Sequence, residues 1–221
     1  MSYSNWGGFN KLNILRKYKD ENNIVKAVFD QNSYAKNEQN NNLNLKIGLD
    51  YSLSNKTNIG IVLSGFSNPE SSKNNNISLL KNASYNIDSI VNSENNIKNN
   101  WENISGNIYL QHKFDSLGKE LSIDIDASRF KSNSESVLIN KMLNANNILR
   151  SSEELLGNFP IDIKISSIKT DYTRPLKNKA KFEFGAKSSY VETTNEANFF
   201  NIFPTGKTID YNKTNTFNYT E

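Results

Sequence analysis

A chain of 221 residues with 26 basic and 23 acidic side chains, a formal charge of +3 and no cysteine excludes disulfides, thiolate metal sites and cysteine nucleophiles. A single histidine removes His-rich metal centres and most catalytic triads, and basic residues spread along the chain lack the clustered footprint of a nucleic-acid binder. The apolar content of 36% lies below the roughly 45 to 50% of soluble domains, so a large conventional core is not expected, and no apolar run is long enough for a membrane-spanning helix.

The opening MSYSNWGG has neither the basic start nor the apolar stretch of a signal peptide. Asparagine is over-represented, with 39 residues, so the test of order is whether patterning survives between the Asn clusters. Met1 to about Asn5 reads as the end of one strand, and residues to about 40 as its loop. From Leu43 the chain alternates: Leu43, Leu45, Ile47, Leu49, Tyr51 and Leu53 on one parity, Asn44, Lys46, Gly48, Asp50 and Ser52 on the other. After a tight link through Ser54, Asn55 and Lys56, Ile59, Ile61 and Leu63 repeat the pattern, which makes a hairpin.

The unit recurs. Ile108, Leu110, His112 and Phe114 precede the turn Asp115, Ser116, Leu117, Gly118, and Leu121, Ile123, Ile125 and Ala127 return from it. Ile161, Ile163 and Ile165 open a third hairpin; the phase slips near Ser166 and Ser167 as at a bulge, and Ile168, Thr170 and Tyr172 continue. Phe182, Phe184, Ala186 and Tyr190 follow a turn over Arg174 to Asn178. Tight turns near 55, 116 and 176 are separated by long Asn- and Ser-rich connections at roughly 68 to 100, 131 to 158 and 193 to 213. Leu138 to Leu156 has apolar residues near helical spacing and is expected to hold a short helix.

Short turns at one end and long loops at the other are the layout of a transmembrane β-barrel. The expected fold is all-β: an antiparallel up-and-down transmembrane β-barrel segment of about eight strand segments with short periplasmic turns and long extracellular loops. The whole of 1–221 is one partial barrel domain, with strands near 1–5, 42–54, 57–67, 102–115, 119–130, 160–173, 179–192 and 214–221. Tyr51, Phe114, Tyr172 and Phe182 near the tight turns would form an interfacial girdle, and the charged parity would line a wet lumen. A soluble β-sandwich also alternates, so a surface-exposed or soluble β-rich binding or adhesin module without a pore is the alternative.

Candidates for chemistry are few. His112 reads as an interface anchor, Asp124 and Asp126 as solvated lumen carboxylates, and Glu153 and Glu154 as a loop pair. No catalytic, cofactor-binding or metal residue emerges, and an enzyme is not expected. Loop aromatics are the better ligand contacts: Trp6, Tyr18 and Tyr34 in the first loop, Tyr85 and Trp101 in the second, and Phe199, Phe200 and Phe203 in the fourth.

The stretches VFDQNS (28–33), GLDYSLSNKT (48–57), KFDSLGKELSIDIDASRF (113–130) and DYTRPLKNKAKFEFGAKSSYV (171–191) resemble the barrel of the outer-membrane β-barrel family of Gram-negative bacteria that is related to TonB-dependent receptors. The resemblance implies an outer-membrane location, contact with outer-membrane lipid, an unidentified nutrient ligand, and an energising inner-membrane complex for a full-length protein that carries a plug. It implies no nucleic-acid partner. The chain lacks a plug and a closing aromatic strand, and reads as an internal slice of a larger barrel.

Overall fold

The alternating segments are the lower parts of strands that run far beyond them. In the computed structural model, which describes the backbone of all 221 residues and every side chain except those of Gln39 and Lys179, the elements are β1 (Ser2–Asn5), β2 (Gly8–Lys19), β3 (Val25–Ser54), β4 (Thr57–Asn82), β5 (Ile87–Lys113), β6 (Glu120–Asn144), β7 (Leu149–Pro175), β8 (Lys181–Phe203), β9 (Gly206–Ile209) and β10 (Asn215–Thr220). They form a single antiparallel sheet in the order β1-β3-β4-β5-β6-β7-β8-β10, with β2 also on β3 and β9 also on β8. The fold is therefore all-β and up-and-down, and the sheet is not closed on itself.

The long connections differ from expectation in kind. Residues 68–100 are the upper halves of β4 and β5, 131–158 those of β6 and β7, and 193–213 the top of β8 with β9 and the approach to β10. The first loop is β2 paired along the upper half of β3. No helix forms within Leu138–Leu156: Val137 pairs with Leu156 and Leu138 with Leu155. A helix there would have to nucleate alone, whereas each further rung extends a ladder already in register. The Ser- and Asn-rich composition weakens the helix further.

Strands of 25 to 30 residues, such as β6 and β3, span roughly 80 to 100 Å at ~3.3 Å per residue. An apolar barrel band is only about 25 Å tall, so most of each strand projects past it.

The far ends close with one recurring turn. Asp20 Oδ1 accepts hydrogen bonds from the backbone N–H of Asn22 and Ile24, Asn82 Oδ1 from Ser84 and Asn86, and Asn144 Oδ1 from Asn146 and Ile148, all between 2.9 and 3.1 Å. Asp115 does the same for Leu117 and Lys119 at the near end. In each, the residue three places on has positive φ: Asn23, Tyr85, Asn147 and Gly118. An Asx side chain thus supplies the turn geometry that a tight reversal needs.

Rungs show what each face carries. Leu49, Ile61, Ile108, Ile125 and Ile168 stand side by side across five strands, and Tyr51, Ile59, Leu110 and Ile123 form the next rung. Residues opposite one another in an antiparallel ladder share a face, so this is a continuous apolar surface. No described residue covers it: Ile108 is 54% exposed, and the buried apolar residues among those described are Val28 and Ile90, both near the far tips. Each such Leu or Ile left in water forgoes about 1.5 to 3 kcal/mol, which requires an apolar medium or partner for this face. At its lower margin Phe114 meets Tyr172 with ring centroids 6.4 Å apart and stacks edge-on to His112, whose Nδ1 lies 2.8 Å from Thr57 Oγ1.

On the opposite face of the band, Asp50, Gly60, Tyr109, Asp124, Lys169 and Lys187 share a rung. The Tyr109 ring lies over Gly60, where a Cβ would collide with it, and the hydroxyl donates to Asp50 Oδ1 at 2.7 Å. Asp126 accepts from Asn107 at 2.8 Å and from Ser167 at 3.3 Å. Asp126 is therefore held between β5 and β7 by polar contacts on both sides.

Candidate functional site

The polar face of the band becomes aromatic just above it. The rung at Asn44 continues through Phe66, Asn103, Phe130, Ile163, Thr193 and Tyr219, and the next one holds Asn68, Trp101, Ser132, Ile161, Asn195 and Phe217. On the other face at the same height the apolar residues give way to charge, with Arg129, Lys164 and Glu192 on one rung and Glu102, Lys131 and Asp162 on the next. The two faces exchange polarity.

No change of register causes the exchange. Ser128 pairs with Ile165, Ala127 with Ser166, Asp126 with Ser167 and Ile125 with Ile168 in unbroken succession, so the bulge expected at Ser166–Ser167 is absent. Ile161, Ile163 and Ile165 consequently lie on the face opposite Ile168 and Tyr172. An apolar pattern changing parity has two structural solutions, a bulge or a change of which face is apolar, and this sheet adopts the second.

Within the aromatic patch the Phe66 and Phe130 rings reach toward each other across β5, 6.5 Å apart, and Phe159 meets Phe199 edge-on at 5.3 Å. Amides and hydroxyls fill the spaces. Asn103 Nδ2 donates to the Arg129 carbonyl at 3.2 Å, Ser132 Oγ to Asn99 Oδ1 at 3.0 Å, and Asn99 Nδ2 to Glu70 Oε1 at 3.0 Å. Asn68 Oδ1, next to Trp101 on its rung, is shielded from solvent and has no hydrogen-bond partner among the described residues. Aromatic rings beside amides and a spare acceptor can stack on a ligand and hydrogen-bond to it.

The expected ligand residues are not brought together. Trp101 and Phe199 lie on this face, near Phe130 and Phe159. Trp6 sits between β1 and β2 with its backbone N–H donating to the Asn40 carbonyl at 3.1 Å. Tyr34 stacks with Phe9 at 6.0 Å, Tyr18 lies near the end of β2, and Tyr85 occupies a far turn with Lys17 Nζ 5.6 Å from its ring. Phe200 lies beneath Lys207, and Phe203 ends β8. Phe66, Phe130 and Phe159 were absent from the expected set. The phase change after Ile165 was their signal, because it moves the flanking apolar residues to the other face.

Residues 112–221 match the model of the outer membrane protein beta-barrel family. The matched part runs from the last residues of β5 through β10, so it contains the β6–β7 hairpin and most of the aromatic patch. No curated protein matches the chain. The match agrees with the strand-rich antiparallel sheet and supports an outer-membrane location with lipid against its apolar face.

Proposed function

We propose that this chain is the wall of an outer-membrane β-barrel, similar to those of TonB-dependent receptors, that binds a nutrient at its outer mouth for passage inward. The polarity exchange carries this reading. Below it, an uncovered apolar face and a hydrogen-bonded polar face suit lipid and a wet lumen; above it, charge faces outward and the aromatic patch faces the lumen, where an incoming solute would pass. An energising inner-membrane complex would act on the complete protein. A pore-less surface adhesin would need its apolar band covered by a second layer, and the single sheet offers none.

The test is ligand retention. Outer-membrane vesicles carrying the protein are incubated with a small-molecule extract of growth medium, washed, and analysed by mass spectrometry. Compounds retained by wild type should be lost when both Trp101→Ala and Phe130→Ala are introduced. Equal retention by the two proteins would remove the patch from the binding reading.

A further inference from the structure

Glu70 stands at the upper edge of the aromatic patch. Phe66 and Asn68 precede it on the same face of β4, and its rung partners are Asn40 of β3 and Asn99 of β5. Trp101, opposite Asn68, is its diagonal neighbour, a separation that long side chains bridge. The carboxylate is half-buried and held by neutral groups: Asn99 Nδ2 donates to Oε1 at 3.0 Å and Asn40 Nδ2 to Oε2 at 3.5 Å. A carboxylate offers about four lone-pair sites, so two amides position it without exhausting it.

No cation offsets this charge. Glu70 forms no ion pair among the described residues, whereas Asp162 and Glu192 on the opposite face pair with Arg129 and Lys164. On the four successive rungs from Phe66 to Ser72, Glu70 is the one charged residue that the ladder of β3 to β8 places on this face. Lys98 and Lys131 belong to the other face. The first basic residue below Glu70 on its own face is Lys46, opposite Ser64, ~20 Å down the ladder and beyond a Debye length of roughly 8 Å. Nearby donors are already used, Ser132 on Asn99 Oδ1 and Asn103 on the Arg129 carbonyl, while Asn68 Oδ1 has no donor among the described residues. A negative charge, a spare acceptor and the electron-rich faces of Trp101 and Phe130 favour a ligand that brings positive charge and N–H donors. An anion would meet the carboxylate with no cation on this face to receive it.

We propose that the aromatic patch selects an organic cation, a solute whose ammonium or guanidinium group is held by Glu70 and lies against the ring of Trp101. The cation donates to the free lone pairs of Glu70, and the body of the solute stacks on Phe130 and Phe66. This names the class of solute for the binding site proposed above and rests on that reading.

The experiment uses outer-membrane vesicles carrying the protein, equilibrated by dialysis with radiolabelled phenethylamine, phenethyl alcohol or hydrocinnamate. The three share one aromatic body and differ in a positive, neutral or negative end, and binding is the excess over vesicles without the protein. Wild type should bind the amine about fivefold better than the alcohol, and the acid least. Glu70→Gln should lower amine binding to the level of the alcohol and leave alcohol binding unchanged, which reports an intact patch. Glu70→Lys should shift the preference to the acid, and Trp101→Ala should lower binding of all three. Equal binding of amine and alcohol by wild type would assign the patch to uncharged solutes and overturn the charge selection, as would a preference for the amine that survives Glu70→Gln. If Trp101→Ala still lowers binding in either case, the binding site stands and only its solute class is wrong. Binding no greater than in vesicles without the protein, or unchanged by Trp101→Ala, would overturn the patch reading together with the charge selection.

Discussion

Four turn residues with positive φ show how single side chains hold this sheet together. Asn23, Asn147 and Gly118 tolerate that conformation, but Tyr85 at φ 64° pays a penalty of about 1 to 2 kcal/mol for a Cβ crowded by the backbone. Tyr85→Asn should stabilise the β4–β5 tip by about 1 kcal/mol, seen as slower hydrogen exchange of the Ser84 and Asn86 amides. Asn144→Ala removes the acceptor from two amides and should speed exchange at Asn146 and Ile148, at a cost of about 1 kcal/mol. The aspartate turns add a pH dependence. The Ile24 amide, aided by Lys26, holds Asp20 below the usual carboxylate range, and the Lys119 and Leu117 amides do so for Asp115. Because the folded values are depressed, the stabilisation is complete above about pH 4, the unfolded carboxylate value, and is lost as pH falls through the folded ones. The protection factors of the Ile24 and Lys119 amides, relative to intrinsic exchange at each pH, should therefore fall in acid, while those of the asparagine turn at Asn144 stay unchanged over the same range.

Among elements, the β3–β4–β5 contact at Gly60 is the most constrained in the band. Tyr109 reaches Asp50 across an intervening strand only because Gly60 has no side chain. Gly60→Val should displace the ring and destabilise the sheet by about 1 to 3 kcal/mol in urea unfolding from detergent, whereas Tyr109→Phe should cost only about 1 kcal/mol. The strands of this band were legible, because Leu43 to Leu53 and Leu121 to Ala127 alternate with the period that only a strand satisfies. Their continuations were not. Asn- and Ser-rich residues 68–82 and 89–100 lack an apolar parity, and they are strands because their neighbours impose the ladder. The expected helix near Leu138 failed for the same reason: local spacing was outweighed by pairing that begins many residues away at Glu120 and Thr173.

At the scale of the whole molecule, the sheet has two faces and no covered interior. In bilayers of brominated lipid, a fluorophore should be quenched at Ile108 and Ile125 and spared at Asn107 and Asp124, an alternation that a water-soluble sandwich would not give. Within the band the ladder ends at β3 and β8, where Leu45–Ser54 and Lys181–Tyr190 each have a neighbour on one side only. Six strands cross the band, and within this chain its two edges are left unpaired.

Alternation is a local property, and from it the sequence by itself determined that this chain makes strands, where three tight turns fall and which residues of the band share a parity. Which residues meet across strands is a matter of register, set by the sum of all rungs rather than by any segment. Only the tertiary structure could decide that Phe66, Trp101, Phe130 and Ile163 lie on one face, that the Asn-rich connections continue the ladder, and that the apolar surface changes sides above the band without a bulge.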